Sequence, residues 1–546
     1  MKRIILFVLF VLSMVTAKAQ FEPQWQLMFP EYEGEDFNIT ATTAFADGYA
    51  LLGSFAGTIR VGGITMCPQG EHDVILLHLD TLGVVRNAIS VGKEGDDRAS
   101  AFYNLNDTLY ICGQTTLDGL NKFFICSYDV SFNQLSDLSF PFEGKLQMDL
   151  LKVEHDKVLL GGSMKGIVTI GSQSVINKSE EHAFFIELSH EGELVSSWLT
   201  SGTGSHRLYS FVHDGNGDYV LMLNAGKGTL DMPNTPSLSF KGNGVVVANY
   251  DSGWNYKKCS VFDCTGFIEA IDLIDYGQGC VVGLNYNGTL TLDEQTFSSL
   301  GSFSSLLIQL DIEGHPNWYN EIESDDYCRL LNIETNDETV VCTGYHYGKL
   351  MVEDEVLDET VDRNTFLVAF DKEGRFSWHI DIEGVDVDMG RSLVYDHNSV
   401  MLNGICQSTT TKNTSGIVPA NSKNSTFAHK YILKTDNEED ITDEDSSINE
   451  NDNLSDIGNQ TNNSIFEDSL LIDVFPNPVK NVLHWSTNQP SAWELELFDA
   501  KGVLLTRKCY NNRQEGYLDL SSCTAGVYII RLSSSEKSGH RIIIKN

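Results

Sequence analysis

A strand-like run closing on a turn residue returns seven times along this chain, and that periodicity limits the fold more than any other feature. The copies end at Gly53, Gly113, Gly161, Leu223 (its glycine lost), Gly283, Gly344 and Gly404, so successive anchors lie 60, 48, 62, 60, 61 and 60 residues apart. A second run recurs in phase over residues 74–80, 123–129, 184–189, 245–251, 306–311, 366–371 and 431–436. Tryptophan is a third landmark: Trp25, Trp198, Trp254, Trp318 and Trp378 precede their anchors by 28, 25, 29, 26 and 26 residues.

Runs such as 306–310 and 366–370 are apolar on both faces. A strand covered by a sheet on each side needs that, whereas a one-sided sheet alternates. Four short strands per unit, stacked face to face around an axis, predict an all-β fold with a seven-bladed β-propeller over residues 20–436. The tryptophan-bearing strand also precedes the first complete unit. Such a strand closes the ring by completing the last blade, which removes two exposed edges. An open solenoid or two separate sandwiches is the alternative. The segment from Phe366 through Asp371 and Gly374 to Trp378 is similar to bacterial seven-bladed propeller repeats. Residues 306–318 with Asp325 and Asp326, and 74–83 with Gly95, Asp96 and Asp97, look alike. The resemblance implies the fold and says little of activity, because propellers host many functions.

Both ends read as addresses. Lys2 and Arg3, an apolar run over 4–15 and the small residues Ala17 and Ala19 predict a signal peptide over residues 1–19, cut between Ala19 and Gln20. No other segment approaches ~20 uninterrupted apolar residues, so no transmembrane segment is expected in the mature form. An oxidising compartment then makes disulfides possible among the eleven cysteines. Cys112 and Cys126 are equidistant from Gly119, and Cys509 and Cys523 from Gly516. Both pairs are candidate cross-strand disulfides, although spacing does not settle connectivity and buried free thiols are the other reading.

From Asp436 to Asp456 ten of 21 residues are acidic and none is basic, which predicts an extended acidic linker over 437–467. A calcium loop there lacks the turn glycine and the alternating ligands, so no cofactor is expected, with calcium the one exception kept open. Residues 468–546 then read as short alternating strands with glycine or proline turns, a small β-sandwich. The segment carries Phe475-Pro476-Asn477-Pro478, Leu518-Asp519-Leu520, Gly526-Val527-Tyr528 and a basic end at Lys545. These motifs, in this order, resemble the type A C-terminal sorting domain of the Bacteroidetes type IX secretion system. The resemblance implies that the type IX machinery is a partner and that the protein is secreted or placed on the outer-membrane surface by way of the periplasm. Cys523 departs from the family, which commonly has an apolar residue there.

Net charge is −39, with 37 basic against 76 acidic residues, and such a surface repels phosphate backbones. Nucleic acid and anionic membranes are therefore poor partners. No G-x-S-x-G, H-E-x-x-H or C-x-x-C motif occurs. Cys259 and Cys264 lack a second metal-like pair. Asp96-Asp97, Asp325-Asp326 and Asp386/Asp388 hold comparable repeat positions, either as rim ligands for a cation or as turn carboxylates bonding nearby amides. Tyr286, Tyr345, His346 and Tyr347 are candidate glycan contacts, with core packing the alternative. No catalytic residue stands out. The expectation is a secreted or cell-surface binding or adhesion module for a glycan or protein ligand. An extracellular glycoside hydrolase or lyase and a structural surface-layer protein are the alternatives.

Overall fold

The computed structural model describes residues 20–29, 35–434 and 472–545, apart from 155–156, 214–217, 337, 385–387, 397, 407–409, 414–415, 420–424, 476–478, 481, 500–503, 522, 525 and 535–537. The signal over 1–19, with Ala19, the acidic linker and Pro476, Asn477 and Pro478 lie outside the described residues, as does the side chain of Gln20. The described residues form strands and no helix. The chain divides into two units, Met1–Ile441 and Thr442–Asn546, and the division falls within the expected linker.

The first unit holds seven antiparallel four-strand blades. Blade 1 is Glu35–Phe45, Gly48–Ala56, Asp73–Asp80 and Val85–Val91, counted from the axis outward. The innermost strands of the others are Asp96–Leu105, the second half of Gln134–Val153, His206–His213, Ile268–Tyr276, Tyr327–Thr335 and Asp388–Asp396. Each innermost strand adjoins that of the next blade, and the seventh adjoins the first, so the ring is closed. The closing strand is Gln20–Phe29, which pairs with Ser425–Lys434 as the outermost strand of blade 7. One strand pairs in both blades 2 and 3: Gln134–Val153 joins Leu120–Tyr128 up to Phe142 and Lys157–Ile170 from Phe142 onward. No loop is spent at that junction, which accounts for the single short spacing of 48 residues between anchors.

Seven apolar clusters fill the seven inter-blade gaps. The two-faced strands follow from this. Leu306 and Ile308 pack into the gap toward blade 4, while Leu307 packs toward blade 6. The ring closure is itself a core, since Phe29, Ile39, Leu51, Val394 and Met401 share one cluster.

The anchor glycines Gly53, Gly113, Gly344 and Gly404 have a local cause, while Gly161 and Gly283 stand one residue off that register and face the Leu208 and Leu330 side chains. Each innermost strand bulges by one residue, at Thr40, Ser100, Asp149, Tyr209, Ile271, Leu331 and Arg391 in turn. The bulge presses a carbonyl onto the facing strand. A Cβ at Gly53 would sit 2.0 Å from Asn38 O, at Gly344 2.0 Å from Arg329 O and at Gly404 2.2 Å from Met389 O. The in-phase aspartates cap the turns that follow. Asp80, Asp129, Asp251, Asp311 and Asp371 each accept the amides two and four residues on at 2.8–3.0 Å.

Tryptophan at the rim seats against the next blade's turn. Trp25 Nε1 donates to Thr81 O at 2.9 Å, and Gly83 and Gly374 leave room for Trp25 and Trp318. Trp254 corrects the sequence reading. It does not stand on the outer strand but in the turn itself, at the position of those glycines, with φ 60°. There it stacks on Tyr219 at 4.6 Å and meets Trp198 of blade 3 at 5.8 Å.

The second unit has strands Ile472–Phe475, Val482–Asp499, Leu504–Asp519, Gly526–Ser533 and Ser538–Lys545. The long Val482–Asp499 changes partner: its first part pairs with Ile472–Phe475, its second with Gly526–Ser533, and Leu504–Asp519 runs along both parts. Leu518, Leu520 and Tyr528 of the sorting motif are core residues beside Trp485 and Trp493. Gly526 and Val527 pair with Lys545 and Ile544, and Asp519 pairs with Val482. The described motif residues are thus the scaffold of this domain.

The candidate disulfides are not formed. Cys112, Cys126 and Cys523 are free thiols. Cys112 pairs with Ile125 and Cys126 with Ile111, a one-residue offset that sends the two side chains to opposite faces of blade 2. Cys112 packs toward blade 3 and Cys126 toward blade 1. The side chain of Cys509 lies outside the described residues.

Candidate functional site

The residues two positions before the seven bulges stand at one register: Asn38, Arg98, Gln147, Arg207, Glu269, Arg329 and Met389. They ring the axis at the face where the innermost strands begin. Arg391, a bulge residue, joins them. Arg363 reaches the same place, its Nη1 3.0 Å from Met389 Sδ. Five of the eight arginines within residues 20–436 therefore gather at one end of the axis, in a chain of net charge −39.

Neighbouring blades share these charges. Arg207 holds Asp149 with two hydrogen bonds, 2.7 Å from Nε and 2.5 Å from Nη2. Arg329 donates to Glu269, and Arg391 donates to Asn38 Oδ1 at 3.1 Å. Burial opposes charge on Arg329, yet the hydrogen bond and charge of Glu269 outweigh it and hold the guanidinium more basic than usual. Among the described residues Arg391 has only the Asn38 amide as a partner, and burial lowers its pKa.

Aromatic rings extend the face over blades 5 and 6. Phe267, 43% exposed, meets Phe303 at 5.6 Å, which meets Tyr327 at 5.2 Å. Tyr327 stacks on Tyr345 at 5.7 Å and 16°. Arg363 lies 4.6 Å from the Tyr345 ring centre and 5.4 Å from that of Tyr347. Two cavities of about 580 and 250 Å³ flank the Arg207–Asp149 pair, the first reaching Arg98 and Gln147, the second Tyr209 and Phe267.

The opposite end of the axis is chemically different. Lys152, Asp272 and Glu334 are half-buried on three innermost strands. Burial and the nearby Asp272 push the Glu334 carboxyl up to about 8; burial pushes Asp272 to about 6 and lowers Lys152 to about 8. The folded protein thus keeps protons on Glu334 that the unfolded chain has lost above ~4.3, so this group costs stability as pH rises from ~4.3 to about 8 and no further above it. The stability advantage of Glu334→Gln over the wild type is expected to widen by on the order of 2–3 kcal/mol between pH 6 and pH 9. Melting curves at both pH values read this, and an unchanged gap would refute it.

The carboxylates picked out by repetition do not converge. Asp97 accepts the Lys93 amide at 2.8 Å and Asp325 the Lys349 amide at 2.8 Å, while Asp96 pairs with Arg98 at 3.2 Å. Asp326 donates its amide to Ser324 Oγ at 3.2 Å. Asp386 and the side chain of Asp388 lie outside the described residues. Among the described residues no group of three or more histidine, cysteine or acidic side chains is placed to hold a metal ion. Of the four candidate glycan contacts, Tyr286 and His346 are fully buried, the former donating to Glu321. Tyr345 and Tyr347 belong to the aromatic band. The arginines were passed over, although a signal existed: Arg98 and Arg329 each precede their anchor by 15 residues and Arg207 by 16.

Residues 473–546 match the family model of the secretion system C-terminal sorting domain. Comparison with curated proteins returns no similar sequence. Among solved structures, the phage phi92 endosialidase is similar at 8% identity and a TM-score of 0.34, over 95% of this chain and 87% of that one. A likeness that slight carries no argument. Among the described residues no helix is long and apolar enough to cross a membrane.

Proposed function

Given that the sorting domain at 473–546 hands this chain to the type IX machinery for delivery to the cell surface or extracellular space, we propose that its propeller is a non-catalytic module that binds an acidic glycan across the arginine-ringed mouth. The observation that carries this reading is the gathering of Arg98, Arg207, Arg329, Arg363 and Arg391 beside a band of partly open aromatic rings. Guanidinium groups match carboxylate and sulfate oxygens, and ring faces stack on sugars and guanidinium groups alike. The paired carboxylates keep the arginines pre-oriented, so less rotamer entropy is lost on binding. The signal expected over 1–19 fits this scheme, because a cut between Ala19 and Gln20 leaves the closing strand Gln20–Phe29 whole.

The test uses full-length protein recovered from the medium, offered immobilised chondroitin sulfate, polygalacturonate and neutral dextran. Retention is expected on the two acidic polymers only, weakening as salt rises. Tyr327→Ala and Arg329→Ala are each expected to weaken it about tenfold or more. Equal retention on dextran would remove the electrostatic part of the proposal. Release of new reducing ends would make the protein an enzyme instead.

A further inference from the structure

Away from the axis, a cavity of about 400 Å³ opens between blades 1 and 2. Its two ends differ in character. At the rim stand Leu117 and Leu120, 43% and 68% exposed, on either side of the Asp118-Gly119 turn. Phe124 and Tyr128 continue the apolar wall. At the inner end lie Ser90, Thr115 and the carboxylate of Asp97, itself only 3% exposed. Directly behind this end is a second carboxylate, Asp73, with no exposure at all. A Cβ on Gly92, a residue of the cavity wall, would come 2.7 Å from Asp73 Oδ1.

Two features of this carboxylate pair call for a cation. Asp73 accepts Ser90 Oγ and, at 3.1 Å, the Gln69 amide, both through Oδ2, while Oδ1 is buried with no hydrogen-bond partner. Asp97 takes the Lys93 amide and the Thr115 hydroxyl, which are neutral donors. Of the cations around the cavity, Lys93 Nζ is bound to Asp137 at 2.7 Å and Arg98 Nε to Asp96 at 3.2 Å, while Lys122 stands exposed in the wall near Leu120 and, among the described residues, makes no ion pair with Asp73 or Asp97. Buried carboxylates without a counter-charge are costly, and a bound cation relieves that cost. A metal ion would need a third acidic, histidine or cysteine ligand, and among the described residues no such group exists. An ammonium group, by contrast, satisfies carboxylate and hydroxyl acceptors with its three hydrogens, and an attached apolar body would cover the exposed leucines.

We propose that the cleft between blades 1 and 2 is a second ligand site, built for a small primary amine with an apolar body. Asp97 receives the ammonium, Asp73 supplies field from behind, and Leu117 and Leu120 fold over the rest of the ligand.

Calorimetric titration of the full-length protein with phenethylammonium chloride tests this, beside 3-phenylpropanol as a neutral analogue and calcium chloride. Saturable binding of the amine and none of the alcohol is expected. Asp97→Asn should weaken the amine about tenfold or more, Leu120→Ser several-fold, and Arg329→Ala not at all. Melting temperatures check that each variant is folded, and Thr115→Val gives a second probe of the inner end should Asp97→Asn fail to fold. The proposal falls if the alcohol binds as tightly, if calcium displaces the amine, or if no heat is seen up to millimolar amine.

Discussion

Deletion of Gln20–Phe29 is expected to leave the propeller unable to hold its fold at room temperature. The strand supplies the outer edge of blade 7 and puts Phe29, 3% exposed, into the core shared with blade 1, where Trp25 and Leu27 pack beside it. Met28 packs on the other side, against the core of blades 6 and 7. Burying Phe29 stabilises by about 1.5–3 kcal/mol and the three partly buried side chains add to it, a sum that is a large share of the stability of a typical domain. Loss of the strand also bares the edge of Ser425–Lys434 to other chains. The milder Phe29→Ala should cost about 3–5 kcal/mol, whereas Leu82→Ala, 62% exposed, should cost less than about 0.5 kcal/mol. Urea unfolding of the three variants reads the order. A deletion variant that melts like the full chain would show that the ring does not depend on its closing strand.

Acid should weaken the propeller through buried imidazoles. His206 is 1% exposed, stacks on His182 at 4.9 Å, and is pushed down to about 4 by burial and then by the charge of His182. Burial alone takes His429, wholly enclosed, to about 3. In the unfolded chain both titrate near ~6.5. Between those values the unfolded state binds a proton that the folded state refuses, so stability falls as pH drops from ~6.5 toward 4 for His206 and toward 3 for His429. Over its full window His206 contributes a loss of about 3 kcal/mol and His429 one of about 5 kcal/mol. Glu334 and Asp272 act with the opposite sign, and the total slope alone does not separate the two. His206→Asn isolates the imidazole: the stability gap between wild type and variant should narrow by about 2 kcal/mol from pH 7 to pH 4.5. Urea midpoints at three pH values measure it, and a constant gap would sink the assignment.

The fold is legible in the sequence where the signal is local and repeated. Residues 306–311 and 366–371 are two-faced because a blade lies on each side, and any strand so placed must show that pattern. Trp25 announced the closing strand because every blade's outer strand meets the next blade's turn. Trp254 misled for a related reason: the turn and the outer strand adjoin in space as well as in sequence, and an indole fills the same rim from either place. The pairing of Cys112 with Cys126 failed at a finer scale. Equal distances from Gly119 suit a symmetric hairpin, but the pairing of Leu117 with Leu120 sets a register in which Cys112 and Cys126 miss by one residue.

The number of blades, the closing strand and the terminal sorting domain were in the sequence, because each rests on residues near one another along the chain or on a period repeated often enough to count. The arginine-ringed mouth and the cleft holding Asp73 and Asp97 were decided by the tertiary structure. Ring closure brings Arg98, Arg207, Arg329 and Arg391 to one axis from strands spread over nearly 300 residues. The inner-strand bulges fix their register, and although the spacing to the anchors repeats along the chain, only the closed ring turns these side chains toward one axis.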